Sequence, residues 1–65
     1  MEFKELKKQI INLLRKSPQP MTQKQIAHDL NETNDGNVYK ALDELQDEKK
    51  IKKESEGFEN YYSLI

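Results

Sequence analysis

Few side chains in the sequence have the type and spacing that catalysis or metal binding requires. The single histidine, His28, stands four residues before Glu32, which would place both side chains on one helix face. A metal ion held there would need a third ligand, and none stands nearby in the sequence. Asp43 and Asp47 also share a helical face, but solvation explains exposed helical carboxylates better than acid–base chemistry does. Because the chain also lacks cysteine, phosphate-binding loops and dinucleotide fingerprints, we expect no enzyme, metal site or cofactor.

The remaining polar residues must be positioned by regular elements, and the first is a helix predicted at residues 2–16. Pro18 and Pro20 end it, because proline donates no backbone hydrogen bond and disfavours helical geometry in the preceding residue. Its apolar side chains recur at spacings of three and four residues, as in an amphipathic helix, and they are Phe3, Leu6, Ile10, Leu13 and Leu14.

A second helix begins at a capping box. The Thr22 hydroxyl is placed to accept from the backbone N–H of Gln25, while the Gln25 side chain reaches back. Met21 and Ile26 flank this start as a hydrophobic staple. We predict that the helix extends to about Leu30, where a polar cluster begins.

A third helix is predicted at residues 34–49. Thr33 or Asn34 is placed to cap it, because both side chains can accept from free backbone N–H groups. Its apolar stripe, which should face the first two helices, consists of Val38, Ala41, Leu42 and Leu45.

From Ile51 onward the apolar pattern changes to a period of two, which predicts a β-hairpin. We expect a two-residue turn at positions 56–57, with the second strand beginning at residue 58. This register sets Ile51 opposite Tyr62, both facing the helices. It also sets Glu54 opposite Glu59, a like-charge pair of small cost.

Three helices followed by a hairpin are the order of a helix-turn-helix with an appended wing. We therefore predict one domain over residues 1–65, of α+β class and mostly α: a three-helix winged helix-turn-helix with a C-terminal β-hairpin wing. Four segments resemble winged-helix transcriptional regulators: MTQKQIAHDL at 21–30, VYKALDEL at 38–45, KIKK at 50–53 and YSL at 62–64. The resemblance covers nearly the whole chain and implies double-stranded DNA as the partner, although some winged helices bind only proteins.

The sequence departs from the pattern of DNA-binding winged helices in its charge. The net charge is −1, with 11 Lys and Arg against 12 Asp and Glu, so DNA binding must depend on local charge. Glu54, Glu56 and Glu59 stand in the wing, where this family commonly has basic residues. Lys49 stands where the family commonly has glycine.

The third helix contains the strongest candidates for DNA contact. Asn37 can bond adenine bidentately, and Lys40 can reach guanine or phosphate. Lysines near the start of the second helix and at the base of the wing could position the phosphate backbone. The full predicted set is Lys24, Asn34, Gly36, Asn37, Tyr39, Lys40, Lys52 and Lys53.

Each candidate also has a purely structural interpretation. Asn34 and Asn37 are suited to caps and turns. Gly36 can ease the turn, and Tyr39 can pack its ring on the second helix. The lysines can belong to an ordinary solvated surface.

We expect a sequence-specific DNA-binding regulator of prokaryotic or mobile-element type that inserts its third helix into the major groove. So short a chain has a marginal core, and a homodimer on a two-fold site is expected. The longest apolar runs are far shorter than a membrane span and the chain does not begin as a signal peptide, so we expect a cytoplasmic protein with no membrane partner. The alternative is a protein-interaction module whose acidic wing docks a protein partner through Glu54, Glu56, Glu59, Tyr61 and Ile65.

Overall fold

The computed structural model describes residues 2–65 and contains three helices and three strands. In chain order the elements are α1 (Phe3–Lys16), β1 (Met21–Thr22), α2 (Gln23–Asp29), α3 (Asp35–Asp47), β2 (Ile51–Glu56) and β3 (Glu59–Leu64). This confirms the mostly helical α+β class and the winged-helix order. No helix among residues 2–65 is both long enough and apolar enough to cross a bilayer.

The hydrophobic core lies where the three helices meet the base of the sheet. α1 buries Leu6, Ile10 and Leu14, whereas Phe3 and Leu13 of the predicted stripe lie half-buried at its edge. The other buried side chains are Met21, Ile26, Ala27, Val38, Ala41, Leu42, Leu45, Ile51 and Tyr62. All four members of the predicted α3 stripe are therefore in the core, with Leu42 completely buried.

The helix starts follow the predicted capping chemistry. The Thr22 hydroxyl accepts a hydrogen bond from the Gln25 backbone N–H at 3.2 Å, which is one of the two bonds of the predicted capping box. Among residues 2–65, the Gln25 side chain makes no return bond to Thr22. Asn34, rather than Thr33, caps α3, and its Oδ1 accepts from the Asn37 backbone N–H at 3.3 Å. Both helices after the first linker therefore begin at residues that satisfy their free donors.

Helices α2 and α3 both end in a Schellman motif. After α3, the backbone N–H of Lys50 donates to the carbonyl of Leu45, and that of Lys49 donates to the carbonyl of Gln46. Lys49 has a φ of 61°, the left-handed conformation that this motif needs. The helix therefore ends at Asp47, two residues before the predicted boundary, and Lys49 lies outside it.

The sequence interpretation overlooked β1, which lies beyond the Pro-containing turn. Met21 pairs with Tyr62 and Thr22 pairs with Tyr61, so β3 is the central strand of an antiparallel sheet in the order β1, β3, β2. A two-residue strand directly before a helix has too few residues for a period-two pattern. Its pairing nevertheless anchors the start of α2 to the wing.

The predicted hairpin register is wrong by two residues. Ile51 pairs with Leu64 instead of Tyr62, and the like-charge pair across the strands is Glu56 with Glu59. The turn consists of Gly57 and Phe58, and Gly57 has a φ of 64°. Positive φ at the first turn residue only is the pattern of a type II′ turn, which favours glycine there.

The shift preserves which face each strand residue occupies, because a displacement of two residues keeps the period-two alternation. Ile51 and Tyr62 are buried on the same face, as predicted. Phe58, however, was expected to begin the second strand and instead lies fully exposed in the turn.

Candidate nucleic-acid interface

The amino-terminal half of α3 is the most accessible part of that helix. The ring of Tyr39 is 57% exposed, and Gly36 and Lys40 are also exposed. More than half of the Tyr39 surface is therefore available for contact. Within residues 2–65, Lys40 forms no ion pair with a neighbouring carboxylate.

Asn34 and Gly36 form the start of α3 together. The Oδ1 atom of Asn34 is occupied by the cap to Asn37, and a Cβ built on Gly36 would lie 3.2 Å from that oxygen. Such a distance is tight, so glycine at this position leaves room for the cap. The interpretation of Asn34 as a cap is thus confirmed, whereas Gly36 lies within the first turn of α3 instead of in the turn before it.

The first turns of α2 and α3 are joined by a hydrogen bond. The side-chain amide of Gln23 donates to the backbone carbonyl of Asp35 at 3.3 Å. Lys24, the next residue, is exposed. The structure thus joins the two helix starts through Gln23, whose role the sequence pattern did not predict.

The carboxylates on the carboxyl-terminal half of α3 are partly neutralised by α1. The ammonium group of Lys7 lies 3.3 Å from Glu44 and also pairs with Glu48, while Lys50 lies 3.3 Å from Glu48. The hydrogen bond to Glu48 is the main cause that raises the pKa of Lys7, and the same bond lowers the pKa of Glu48. Both groups therefore stay charged across neutral pH.

Two side chains of α3 influence the ionisation of Tyr62 in the sheet. Burial raises the pKa of the Tyr62 hydroxyl, and the charges of Tyr39 and Asp43 raise it further. Tyr62 shares the hydrophobic core with the buried stripe of α3 and with Ile51, and α3 contacts β2. The inner face of the wing therefore packs toward α3.

The wing separates its charges between its two faces. Ile51 is buried on the inner face, and the alternation along β2 places Lys53 and Ser55 on that face. Lys53 pairs with Tyr62, and the Ser55 hydroxyl donates to Asn60 Oδ1 at 2.7 Å. The inner face thus offers one lysine and a hydroxyl–amide pair that sequence analysis did not single out.

The three wing glutamates lie together on the outer face. Glu54 and Glu56 alternate with the inner residues of β2, and Glu59 pairs with Glu56. Lys52 shares this face and lies 3.4 Å from Glu54. The two wing lysines predicted to bind phosphate, Lys52 and Lys53, are therefore on opposite faces.

The fold brings together only some of the residues that were predicted to bind a protein partner. Tyr61 pairs with Glu54 and is half-buried beneath the turn at Gln19 and Pro20, so it joins the acidic outer face. Ile65 is 75% exposed but lines a separate groove beside α1. The outer face alone thus contains the acidic cluster.

A comparison with protein-family models matches residues 5–63 to the TBPIP/Hop2 winged helix domain. One similar solved structure comes from a study of HOP2, which concerns its DNA recognition and protein interaction domains and its homologous DNA pairing. This structure matches with a TM-score of 0.82 at 25% identity. That match covers 92% of this chain and 98% of the other. The resemblance to winged-helix domains is confirmed.

Two other solved structures share the fold at lower identity. The ferric uptake regulator Fur of Helicobacter pylori matches with a TM-score of 0.83 at 20% identity, over 92% of this chain and 43% of its own. Human N-acetylserotonin methyltransferase matches with a TM-score of 0.82 at 21% identity, over 97% of this chain and 18% of its own. A search of curated proteins finds no significant match.

Proposed function

Because the chain belongs to the TBPIP/Hop2 winged helix domain family, we propose that it binds double-stranded DNA. The amino-terminal half of α3 enters the major groove, where Asn37 and Lys40 contact base edges. Lys24 on α2 and Lys53 on the inner face of the wing contact phosphates on either side. The description of HOP2 as having DNA recognition domains supports this proposal.

The observation that carries the proposal is the distribution of charge over the wing. From the sequence alone, Glu54, Glu56 and Glu59 argue against DNA, because they should repel phosphates. In the structure they project from the face turned away from α3, whereas Lys53 lies on the face that adjoins it. DNA held between α3 and the inner wing face would meet the lysine and avoid the three glutamates.

The charges of α3 favour an end-on approach. Lys40 lies in the amino-terminal half, while Asp43 and Asp47 follow it toward the carboxyl end. Glu44 is paired with Lys7, which reduces its repulsion. Entry of the first two turns alone keeps Asp47 away from the phosphates, and the positive end of the helix dipole points toward the DNA.

The proposed role is binding without catalysis. The expectation of a prokaryotic or mobile-element transcriptional regulator gains no support from the family match, because HOP2 is described in connection with homologous DNA pairing. The homodimer and the cytoplasmic location remain predictions. The acidic outer face of the wing keeps the protein-binding alternative open as a second surface.

The two neighbouring wing lysines provide a matched test. We expect Lys53→Ala to weaken binding to a mixed-sequence duplex and to lower the salt slope of log K by about one unit, because one phosphate contact is lost. Lys52→Ala removes the same charge from the opposite face and should leave both quantities nearly unchanged. Lys40→Ala should weaken binding as Lys53→Ala does. The measurement is fluorescence anisotropy at several salt concentrations.

Equal effects of Lys53→Ala and Lys52→Ala would show that only net charge matters and would overturn the assignment of the inner face. Binding that is insensitive to both Lys40→Ala and Lys53→Ala would overturn the proposed DNA site.

A further inference from the structure

A groove on the described surface lies away from the proposed DNA site. It has a volume of about 890 Å³ and runs between α1, the carboxyl end of α3 and the open end of the sheet. Its floor is apolar, formed by Ile11, Leu45, Leu64 and Ile65. Ile65 remains 75% exposed there, although burying such a side chain is favourable.

The rim of this groove contains most of the positive charge of the chain. Six of the eleven lysines and arginines line it, against one of the twelve carboxylates, Glu48. The rest of the chain therefore has five cationic and eleven acidic side chains. Lys7 and Lys50 are already paired with Glu48, but Lys4, Lys8, Arg15 and Lys49 have no ion pair within residues 2–65.

We propose that this groove binds an acidic amphipathic helix of a protein partner. Lys4, Lys8, Ile11 and Arg15 follow each other at spacings of four, three and four residues, which aligns them along one stripe of α1. α1 has 14 residues and is therefore about 21 Å long. A helix of similar length lying beside it would place apolar side chains on the floor and carboxylates against the rim.

The combination of floor and rim favours a protein helix over nucleic acid. Phosphate contacts need cations, but they gain nothing from an apolar floor. An acidic helix with leucines along one face uses both parts of the groove. This surface is separate from α3 residues 36–40 and from Lys53, so the proposal does not depend on DNA binding.

The test uses two synthetic helix-forming 16-residue peptides labelled with fluorescein. Both have leucines at i, i+4 and i+7; one has glutamate on the flanks of this stripe and the other has lysine. In anisotropy titrations of the 65-residue chain at low salt, we expect the acidic peptide to bind at least about tenfold more tightly. Ile65→Ser should weaken that binding, since it removes apolar floor area.

Arg15 and Lys16 supply a matched pair of variants in the last turn of α1. Arg15→Glu reverses a charge on the rim and should weaken binding of the acidic peptide by about three- to tenfold. Lys16→Glu makes the same reversal outside the groove and should change it less than about twofold. Circular dichroism of both variants checks that α1 remains folded.

Three results of the binding experiments would overturn the proposal. The first is equal binding of the two peptides, and the second is an equal loss of acidic-peptide affinity in Arg15→Glu and Lys16→Glu. The third is displacement of the acidic peptide by a 16-base-pair duplex whose affinity depends on Arg15 more than on Lys53. The last result would make the groove a nucleic-acid surface. Sedimentation could also contradict the proposal. If the chain self-associates and Ile65→Ser abolishes this self-association, the occupant of the groove is a second copy of the chain.

Discussion

Lys49 illustrates how a single residue can depart from a family pattern without changing the fold. Its φ of 61° places it at the left-handed position of the Schellman motif that ends α3. A side chain at this backbone conformation costs about 1–2 kcal/mol relative to glycine. The glycine that the family resemblance implies at this position is consistent with this backbone geometry, which lysine occupies with strain.

Replacing Lys49 with glycine should stabilise the domain by about 1 kcal/mol, because the strain is relieved while the hydrogen bonds of the motif stay. For a domain of this size the melting temperature should rise by roughly 4–8 °C. Asn31 has a φ of 56° after α2 and provides the control. Because asparagine tolerates this conformation better, Asn31→Gly should yield a smaller increase. An unchanged or lower melting temperature for Lys49→Gly would contradict the account.

Tyr62 makes the stability of the domain depend on alkaline pH. Burial raises the pKa of its hydroxyl above the ordinary value of 10.0, so the unfolded chain releases this proton first. Below pH 10 the hydroxyl is protonated in both states and adds no pH dependence. Above pH 10 its contribution to the free energy of unfolding should fall until the pH passes the folded pKa.

The comparison of Tyr62→Phe with the natural chain isolates this effect, because Lys7 and other groups titrate in both proteins. In urea unfolding between pH 9 and 11, the natural chain should lose stability more steeply than Tyr62→Phe. Parallel pH profiles would show that the hydroxyl is not perturbed by burial.

At the scale of elements, local chemistry predicted the helices well and the wing less well. The Thr22 capping box and the α3 apolar stripe depend on residues close in sequence, so their patterns were sufficient. The hairpin register depended on which turn position glycine occupies, and placing Gly57 second instead of first displaced every cross-strand pair. β1 depends on a distant strand, which no local pattern reveals.

The candidate site was predicted as a set of residues but not as a surface. Period-two alternation already placed Lys53 and Glu54 on opposite sides of β2. What the sequence could not show is that the inner side adjoins α3, because that depends on how the sheet packs on the helices. The hydrogen bond from the Gln23 side chain to Asp35 became visible only in the fold.

Helix packing should depend on Leu42 far more than on Leu13. Leu42 is completely buried at the centre of α3, whereas Leu13 is half-buried at the edge of the core. Leu42→Ala should cost about 2–5 kcal/mol, enough to unfold much of so small a domain. Leu13→Ala should cost less, since part of the side chain already contacts water. Thermal melts of the two variants with similar midpoints would contradict the assigned core.

Considered as a whole, the molecule is nearly neutral but divides its charge among distinct surfaces. The groove beside α1 is basic and the outer wing face is acidic, whereas Lys24 lies in the first turn of α2, Lys40 on the exposed half of α3 and Lys53 on the inner wing face. A net charge of −1 is therefore a poor guide to how the domain meets a polyanion. The position of each charge relative to the sheet and helices determines which surface can approach DNA.

The central claim is that DNA lies against α3 and the inner face of the wing, and chemical-shift mapping tests it most directly. A 15N-labelled sample is titrated with a mixed-sequence duplex at moderate salt. The account predicts that the largest amide shifts occur at residues 36–40, at Lys24 and around Lys53, with small shifts at residues of the groove beside α1. Shifts concentrated at Lys8 and Arg15 or on the outer wing face, with residues 36–40 unaffected, would contradict it.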